Sequence, residues 1–353
     1  MRKQLYRNLT TKLQRRLPAA TKHQVHNLAL LTLALVFSED CHLPNLALQL
    51  PIDGQRDHLT RRLMRFLSNC HLSRHTHYMP LVRHLFATWP DKEVNLVMDR
   101  TDIRQEKSIL LLAVAFKCRV IPLTWRVLPF GGTGADLQVR LLREVTPYLP
   151  KAKRVMFYGD TEFRAVAVQQ YCRQQRWGWQ LGVKSDTLFH EGDGNWQPLR
   201  DFTVERGQRR YLQNITLTQS ESWPDVHLIA DWTHNWDSPR YVICHHQATR
   251  FSWRRGRKRF WIEPTFRDWK SYGFDLETSH IDDARRLDRL LLGMTIATLW
   301  LLHLGDWVRN NDRTTWLTAD HRRDSSIFRL GRDYARRSEI CHWHLPICFD
   351  RQH

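Results

Sequence analysis

Three carboxylates in this 353-residue chain stand where metal-assisted chemistry could use them. Asp99 ends the apolar run LVMD, Asp160 follows VMFYG, and Glu263 opens the stretch WIEPTFRDWKSYGFDLETSH directly before a proline. An acid that closes a buried strand puts its side chain at the rim of a sheet. Three hard oxygen donors of this kind suit Mg2+ or Mn2+, and two such ions about 4 Å apart clamp the attacking and leaving oxygens of an in-line phosphoryl displacement. Singly, each acid also fits a turn or a helix cap.

The basic residues around Glu263 sharpen the reading. Arg259 precedes it by four positions and Lys270 follows it by seven, spacings that on a continuing helix present both cations on roughly its own side. Arg254, Arg257 and Lys258 crowd the approach. Cations so placed hold phosphate oxygens near metal ions without ligating the metals. Asp102 falls on the opposite pleat from Asp99, and Glu162 falls in the first turn of the next helix, where the dipole favours acids; both read as supporting residues.

The whole chain shares this bias. Lys and Arg number 54 against 36 Asp and Glu, a formal charge of +18, while 42% hydrophobic residues rule out a disordered basic tail. A folded, strongly positive surface favours a polyanion, with nucleic acid ahead of an anionic membrane because no lipidation motif or basic amphipathic anchor stands out. The N-terminus lacks the apolar core of a secretory signal, and LLLGMTIATLWLL, residues 290–302, is short for a membrane span and fits a buried core helix. Seven scattered cysteines read as free thiols of a reducing cytoplasm.

The elements that must position the acids follow from periodicity. Residues 1–90 read as basic helices, with Leu59, Leu63 and Phe66 forming an apolar stripe and Arg61, Arg62 and Arg65 largely off it. From residue 94, VNLVMDRTD, ILLLAVAFKC and RVIPLTWRVLP predict a three-strand meander. GGTGAD at 131–136 lacks the Lys-Ser/Thr ending of a phosphate loop and reads as a plain turn before the helix LQVRLLREVTPYL. The strand RVMFYGD, the helix TEFRAVAVQQYCRQQ and the strand GWQLGVK complete a mixed α/β domain with a central sheet, residues 91–184. Residues 185–252, with the turn GDGN and the runs RRYLQNITLTQ, DVHLIADW and RYVICHH, predict a β-rich insertion. Helices resume over 253–310, and 311–353 form a tail without an assigned role.

On LVMDRTD, FYGDTEF and RFWIEPTFRDWKSYGFDLE, the chain resembles the DDE transposases of the insertion-sequence 4 family. The last stretch matches the family signature Tyr, two residues, Arg, three residues, Glu, six residues, Lys at Arg259, Glu263 and Lys270; Gly256 stands where the tyrosine belongs, with Trp253 as the nearby aromatic. The resemblance covers about residues 94–305. It implies an RNase H-like core interrupted by the insertion, with Asp99, Asp160 and Glu263 holding two Mg2+ or Mn2+ ions. It further implies cleavage at terminal inverted repeats, a hairpin intermediate and joining to target DNA. A dimer on double-stranded DNA, a nucleoid-associated place in a bacterial or archaeal cytoplasm, and a tryptophan stacking on a flipped base, Trp232 or Trp236, belong to the same expectation.

Two other readings share the basic surface: a DNA-binding protein without catalysis, and a nuclease of the same core that cuts without joining. Three intact acids favour the transposase, since a mere binder has no use for them. CHWHLPIC, residues 341–348, gathers two cysteines and two histidines, but its spacing departs from the common zinc patterns, and one short loop rarely closes a tetrahedral site.

Overall fold

The structure, a computed structural model, describes residues 1–104, 106–192, 194–233, 236–319 and 325–347. Six helices open the chain: α1 (Arg2–Arg16), α2 (Lys22–Phe37), α3 (Leu43–Leu48), α4 (Arg56–Leu67), α5 (Arg74–His77) and α6 (Met79–Ala87). Thr21 and Gln24 form a capping box at the head of α2, satisfying two N–H groups that the first turn leaves unpaired. In α4, Leu59, Leu63, Phe66 and Leu67 are buried, so the apolar stripe faces the core and the arginines look outward.

A mixed sheet follows. β1 (Glu93–Ile103), β2 (Lys107–Phe116) and β3 (Arg119–Pro129) form an antiparallel meander. α7 (Ala135–Val145) leads to β4 (Arg154–Gly159), which pairs parallel with β1, and α8 (Val166–Gln174) leads to β5 (Gly178–Val183), parallel to β4. Both parallel crossovers run through a helix, as chain length requires. Strands with helices packed on their faces must bury side chains in both directions, and β2 is accordingly buried at every position but its first.

The β-rich segment does not stand apart from this sheet. β6 (Leu188–His190), β7 (Gln197–Pro198), β8 (Arg209–Leu217), β9 (Trp223–Asp231) and β10 (Arg240–Cys244) extend it, because β10 pairs antiparallel with β5. One ten-stranded sheet results, in the order β3-β2-β1-β4-β5-β10-β9-β8-β6-β7. GDGN lies between β6 and β7, with Asp193 outside the described residues.

The chain then returns as a helical run over residues 250–272. It begins as α9 (Arg250–Gly256), tightens to a 3-10 turn at Arg257–Trp261, relaxes into α10 (Ile262–Arg267) and widens to a π turn at Asp268–Tyr272. Glu263 stands in the first turn of α10, as expected of an acid that opens a helix, although α10 itself continues a helical run begun at Arg250. Pro264 accounts for the change of helix type beside it, since it has no N–H to give to the turn before. α11 (Ala284–Asn310) is the core helix, longer than its apolar stretch suggested. It is long and apolar enough to cross a membrane, yet 89% of its apolar window is covered by the rest of the chain. Trp269 donates its indole N–H to Thr298 of α11 at 2.9 Å, fastening the composite helix to the core.

The segment left as a tail contains α12 (Ile327–Ile340), capped by Ser326 and buried through Ile327, Phe328, Leu330, Tyr334 and Ala335. It crosses α11 at two glycines. A Cβ on Gly305 would stand 1.7 Å from the Ile327 carbonyl oxygen, and one on Gly331 would stand 2.0 Å from that of Leu301. Backbone cannot retreat as a flexible side chain can, so Gly305→Ala or Gly331→Ala must push the helices apart. Each is expected to lose about 1–3 kcal/mol or more, read by thermal unfolding of the purified variants; an unchanged midpoint would contradict the close crossing.

Candidate functional site

Parallel pairing of β1 with β4 fixes the first two acids. Leu96 pairs with Phe157 and Val97 with Tyr158, so continuing the same offset brings Asp99 level with Asp160. Asp99 is not at the end of its own strand, as expected from LVMD: β1 runs four residues further, paired only with β2. What ends there is β4, and the rim lies between the two strands. Asp160 caps the 3-10 turn Thr161–Phe163 and accepts the Glu162 N–H at 2.8 Å; Asp99 accepts the Arg100 N–H at 2.8 Å.

The composite helix lies alongside β1 and meets it in order. Lys258 reaches Glu93 at 3.7 Å, Arg259 and Glu263 come beside Asp99, and Lys270 donates to the Asp102 carbonyl at 2.7 Å. This order separates the expected basic residues. Lys258, with Arg255, is drawn to Glu93, six residues and roughly 20 Å back along the strand from Asp99. Lys270 pairs with Glu277 at 3.0 Å and serves the far arm of β1. Arg259 alone of the signature cations faces the acids, 3.8 Å from Glu263. Arg254 and Arg257 are exposed.

This proximity has an electrostatic consequence. Burial, the neighbouring Asp160 carboxylate and, more weakly, Glu263 push the Asp99 carboxyl up to about 7, against the pull of the Arg100 N–H and Arg259. Glu263 itself is 56% exposed. Among the described residues no three His, Cys, Asp or Glu side chains converge on one point, so Asp99 and Asp160 form a pair and Glu263 stands off from it. The donor chemistry of that pair fits a hard divalent cation: each carboxylate has one oxygen engaged by a backbone N–H, and a cation between them would remove their repulsion. Glu263, on the adjacent helix, is the acid available to complete the set. The 341–348 cluster forms no such group among its described members, and Cys348 lies outside the described residues.

Beside Asp160 opens a cleft of about 880 Å³ between β5, β10 and α9. Lys184, Arg200, Arg240, Arg257 and Arg259 line it, together with Trp253 and Phe260. A Cβ at Gly256 would lie 2.4 Å from Oε1 of Gln180, the far end of a side chain whose amide donates to the Ser252 carbonyl at 2.9 Å, so a larger residue here requires that side chain to shift. Trp253 lies in the same cleft, its ring 4.6 Å from the Arg209 guanidinium.

The insertion tryptophans sit at the turn between β9 and β10. Trp232 gives its indole N–H to the Trp236 carbonyl at 2.8 Å, a bond that serves the turn, and the Trp236 ring stacks 3.8 Å from the Arg240 guanidinium. Arg240 is the residue that sequence reasoning missed. Burial and the like charge of Arg259 push it down, opposed by Glu263 and Asp231, so it belongs to the same electrostatic neighbourhood. No spacing announces a lone arginine 23 positions before Glu263; only the β10–β5 pairing brings it there.

Asp102 and Glu162 bind Arg100, not the site. Glu162 lies in a 3-10 turn and not in the first turn of α8, so partners rather than a helix dipole hold it: Arg100 Nε donates to it at 3.0 Å and the Thr133 N–H at 2.8 Å.

No family model and no curated protein matches the chain. Among solved structures it is similar to a piggyBac transposase synaptic complex with hairpin DNA, determined by cryo-electron microscopy. The TM-score is 0.48 at 8% sequence identity, over 96% of this chain and 78% of that one.

The raised carboxyl has a pH signature. Asp99 titrates near 4 when unfolded and near 7 when folded, so between these values the folded state holds more protons. Stability of the metal-free protein therefore falls as pH rises through about 4 to 7, and the cost is fully present above 7. Asp99→Asn should flatten this fall and gain up to about 4 kcal/mol at pH 8. Mn2+ should raise the wild-type melting temperature at pH 8 and leave that of the variant unchanged, as scanning calorimetry would show.

Proposed function

We propose that this chain is a DNA transposase of the DDE class, of the kind found in the insertion-sequence 4 family, acting on the terminal inverted repeats of a mobile element. The observation that carries this reading is the pairing of Asp99 with Asp160 across adjacent parallel strands, beside a helix bearing Arg259 and Glu263. The order β3-β2-β1-β4-β5, with the first three antiparallel and the last three parallel, supports an RNase H-like core.

Divalent cations, Mg2+ or Mn2+, held by Asp99, Asp160 and Glu263 would supply Lewis-acid stabilisation of the attacking and leaving oxygens. The chain's own groups do the rest. The cationic cleft holds phosphates, with Arg259 nearest the acids; at about 880 Å³ it suits a strand or a few nucleotides and not a duplex. Water attacks the phosphorus at the element's end, the bond to the 3′ oxygen breaks, and a 3′ hydroxyl is released. That hydroxyl attacks the opposite strand to give a hairpin, whose hydrolysis frees the end for joining to target DNA. Trp236, whose ring lies against Arg240 of the cleft, is the insertion tryptophan we favour for stacking on an unpaired base. Two ends must meet for joining, so the active form is a dimer on DNA, working at the nucleoid.

Cleavage of a labelled duplex carrying the repeats that flank the gene tests this. Metal-dependent nicking at the repeat boundary, followed by a hairpin product, is expected. Alanine at Asp99, Asp160 or Glu263 should abolish both and spare DNA binding. Tight binding without cleavage would leave a DNA-binding protein, and cutting without preference for the repeats a nuclease.

The cleft has its own signature. Arg200→Ala and Arg240→Ala should each weaken DNA binding and lower the slope of log affinity against log salt by about one. Fluorescence anisotropy at several salt concentrations measures both.

A further inference from the structure

Two backbone N–H groups aim the acid pair: that of Arg100 at Asp99, and that of Glu162 at Asp160, both at 2.8 Å. The side chains of these same two residues meet each other, Arg100 Nε to Glu162 Oε2 at 3.0 Å. A continuous run of contacts results, from Asp99 through Arg100 and Glu162 to Asp160. Neighbouring strand residues point to opposite faces, so the Arg100 side chain lies on the pleat away from the Asp99 carboxylate.

Both ends of the pair are themselves held. Glu162 Oε1 accepts from the Thr133 N–H at 2.8 Å and the Thr133 hydroxyl at 2.6 Å, and Gln138 donates to the carbonyls of Thr133 and Glu162 at 3.1 and 3.2 Å. Arg100 Nη1 reaches the Asp102 carboxylate and the Ser108 hydroxyl, and that hydroxyl donates to Asp102 at 2.6 Å. The GGTGAD turn, which carries no phosphate-loop chemistry, thereby acquires a role: it presents Thr133 to Glu162. With side-chain exposures of 22% and 20%, the pair is sheltered from the water that weakens surface ion pairs.

We propose that Arg100 and Glu162 are positioning residues: their ion pair locks the spacing and orientation of the Asp99 and Asp160 carboxylates for a divalent cation. This rests on the reading of those acids as metal ligands. β1 and β4 share no hydrogen-bonded pair at the acids themselves, since β4 ends at Gly159. The ion pair bridges the strands where the backbone ladder has stopped.

Mn2+ binding to the purified full-length chain, followed by electron paramagnetic resonance, tests the clamp. Wild type and Asp99→Asn are compared first; a difference between them places the ion at the acids, and no difference would sink that reading and the clamp with it. Given a difference, Glu162→Gln and Arg100→Lys are each expected to weaken Mn2+ by about 10–100-fold, and Thr133→Val by less. Should one of the pair fail to fold by circular dichroism, the other carries the test. Glu144→Gln, which breaks the similarly sheltered pair with Arg126 at 2.7 Å, controls for general loss of stability and should leave Mn2+ affinity unchanged. The Mn2+ concentration for half-maximal cleavage should rise in step while the rate at saturation changes little. Affinity within twofold of wild type in the folded variants, or an equal loss in Glu144→Gln, would overturn the proposal.

Discussion

Two carboxylates set side by side in a sheltered place repel each other, and neither burial nor a neighbour's negative charge favours ionising both. The β1–β4 register brings Asp99 level with Asp160, and beyond the last paired residues the Arg100–Glu162 contact spans the two segments. Much of the surrounding structure compensates. Two backbone N–H groups each take one oxygen, Arg259 sets a positive charge opposite, and the composite helix that carries it is fastened to α11 through Trp269 and to β3 through the Asp268–Arg119 pair.

A good part of this was legible in the sequence, for physical reasons. LVMD and VMFYG are apolar runs that read as buried strands and form them, but only Asp160 stands at the end of its strand, while β1 runs on past Asp99. The Arg259–Glu263 spacing survives because four residues along a helical run keep the same face even as the helix changes type. Lys270 fails the same argument: over seven residues the π turn shifts the phase, and Lys270 meets Asp102 and Glu277 instead. Lys258 turns to Glu93 at the start of β1, a partner that nothing local in the sequence reveals.

Contacts across the sheet were out of reach for a different reason. Arg240 and the Arg100–Glu162 pair owe their positions to pairings between segments far apart in the chain, which periodicity does not encode. α12 was passed over because its short apolar face, Ile327 to Ala335, is broken by charged residues, and its packing depends on a glycine, Gly331, that reads in isolation as a helix breaker.

The continuity of the sheet has a mechanical consequence. Because Tyr241–Cys244 are bonded residue by residue to Gln180–Val183, the β-rich segment is not a flap on a hinge. The turn that carries Trp236 is joined through β10 to β5 and, by the parallel pairing of Gly159 with Leu181, to the strand whose last residue precedes Asp160, so the turn and the acid share one continuous ladder of strand pairings.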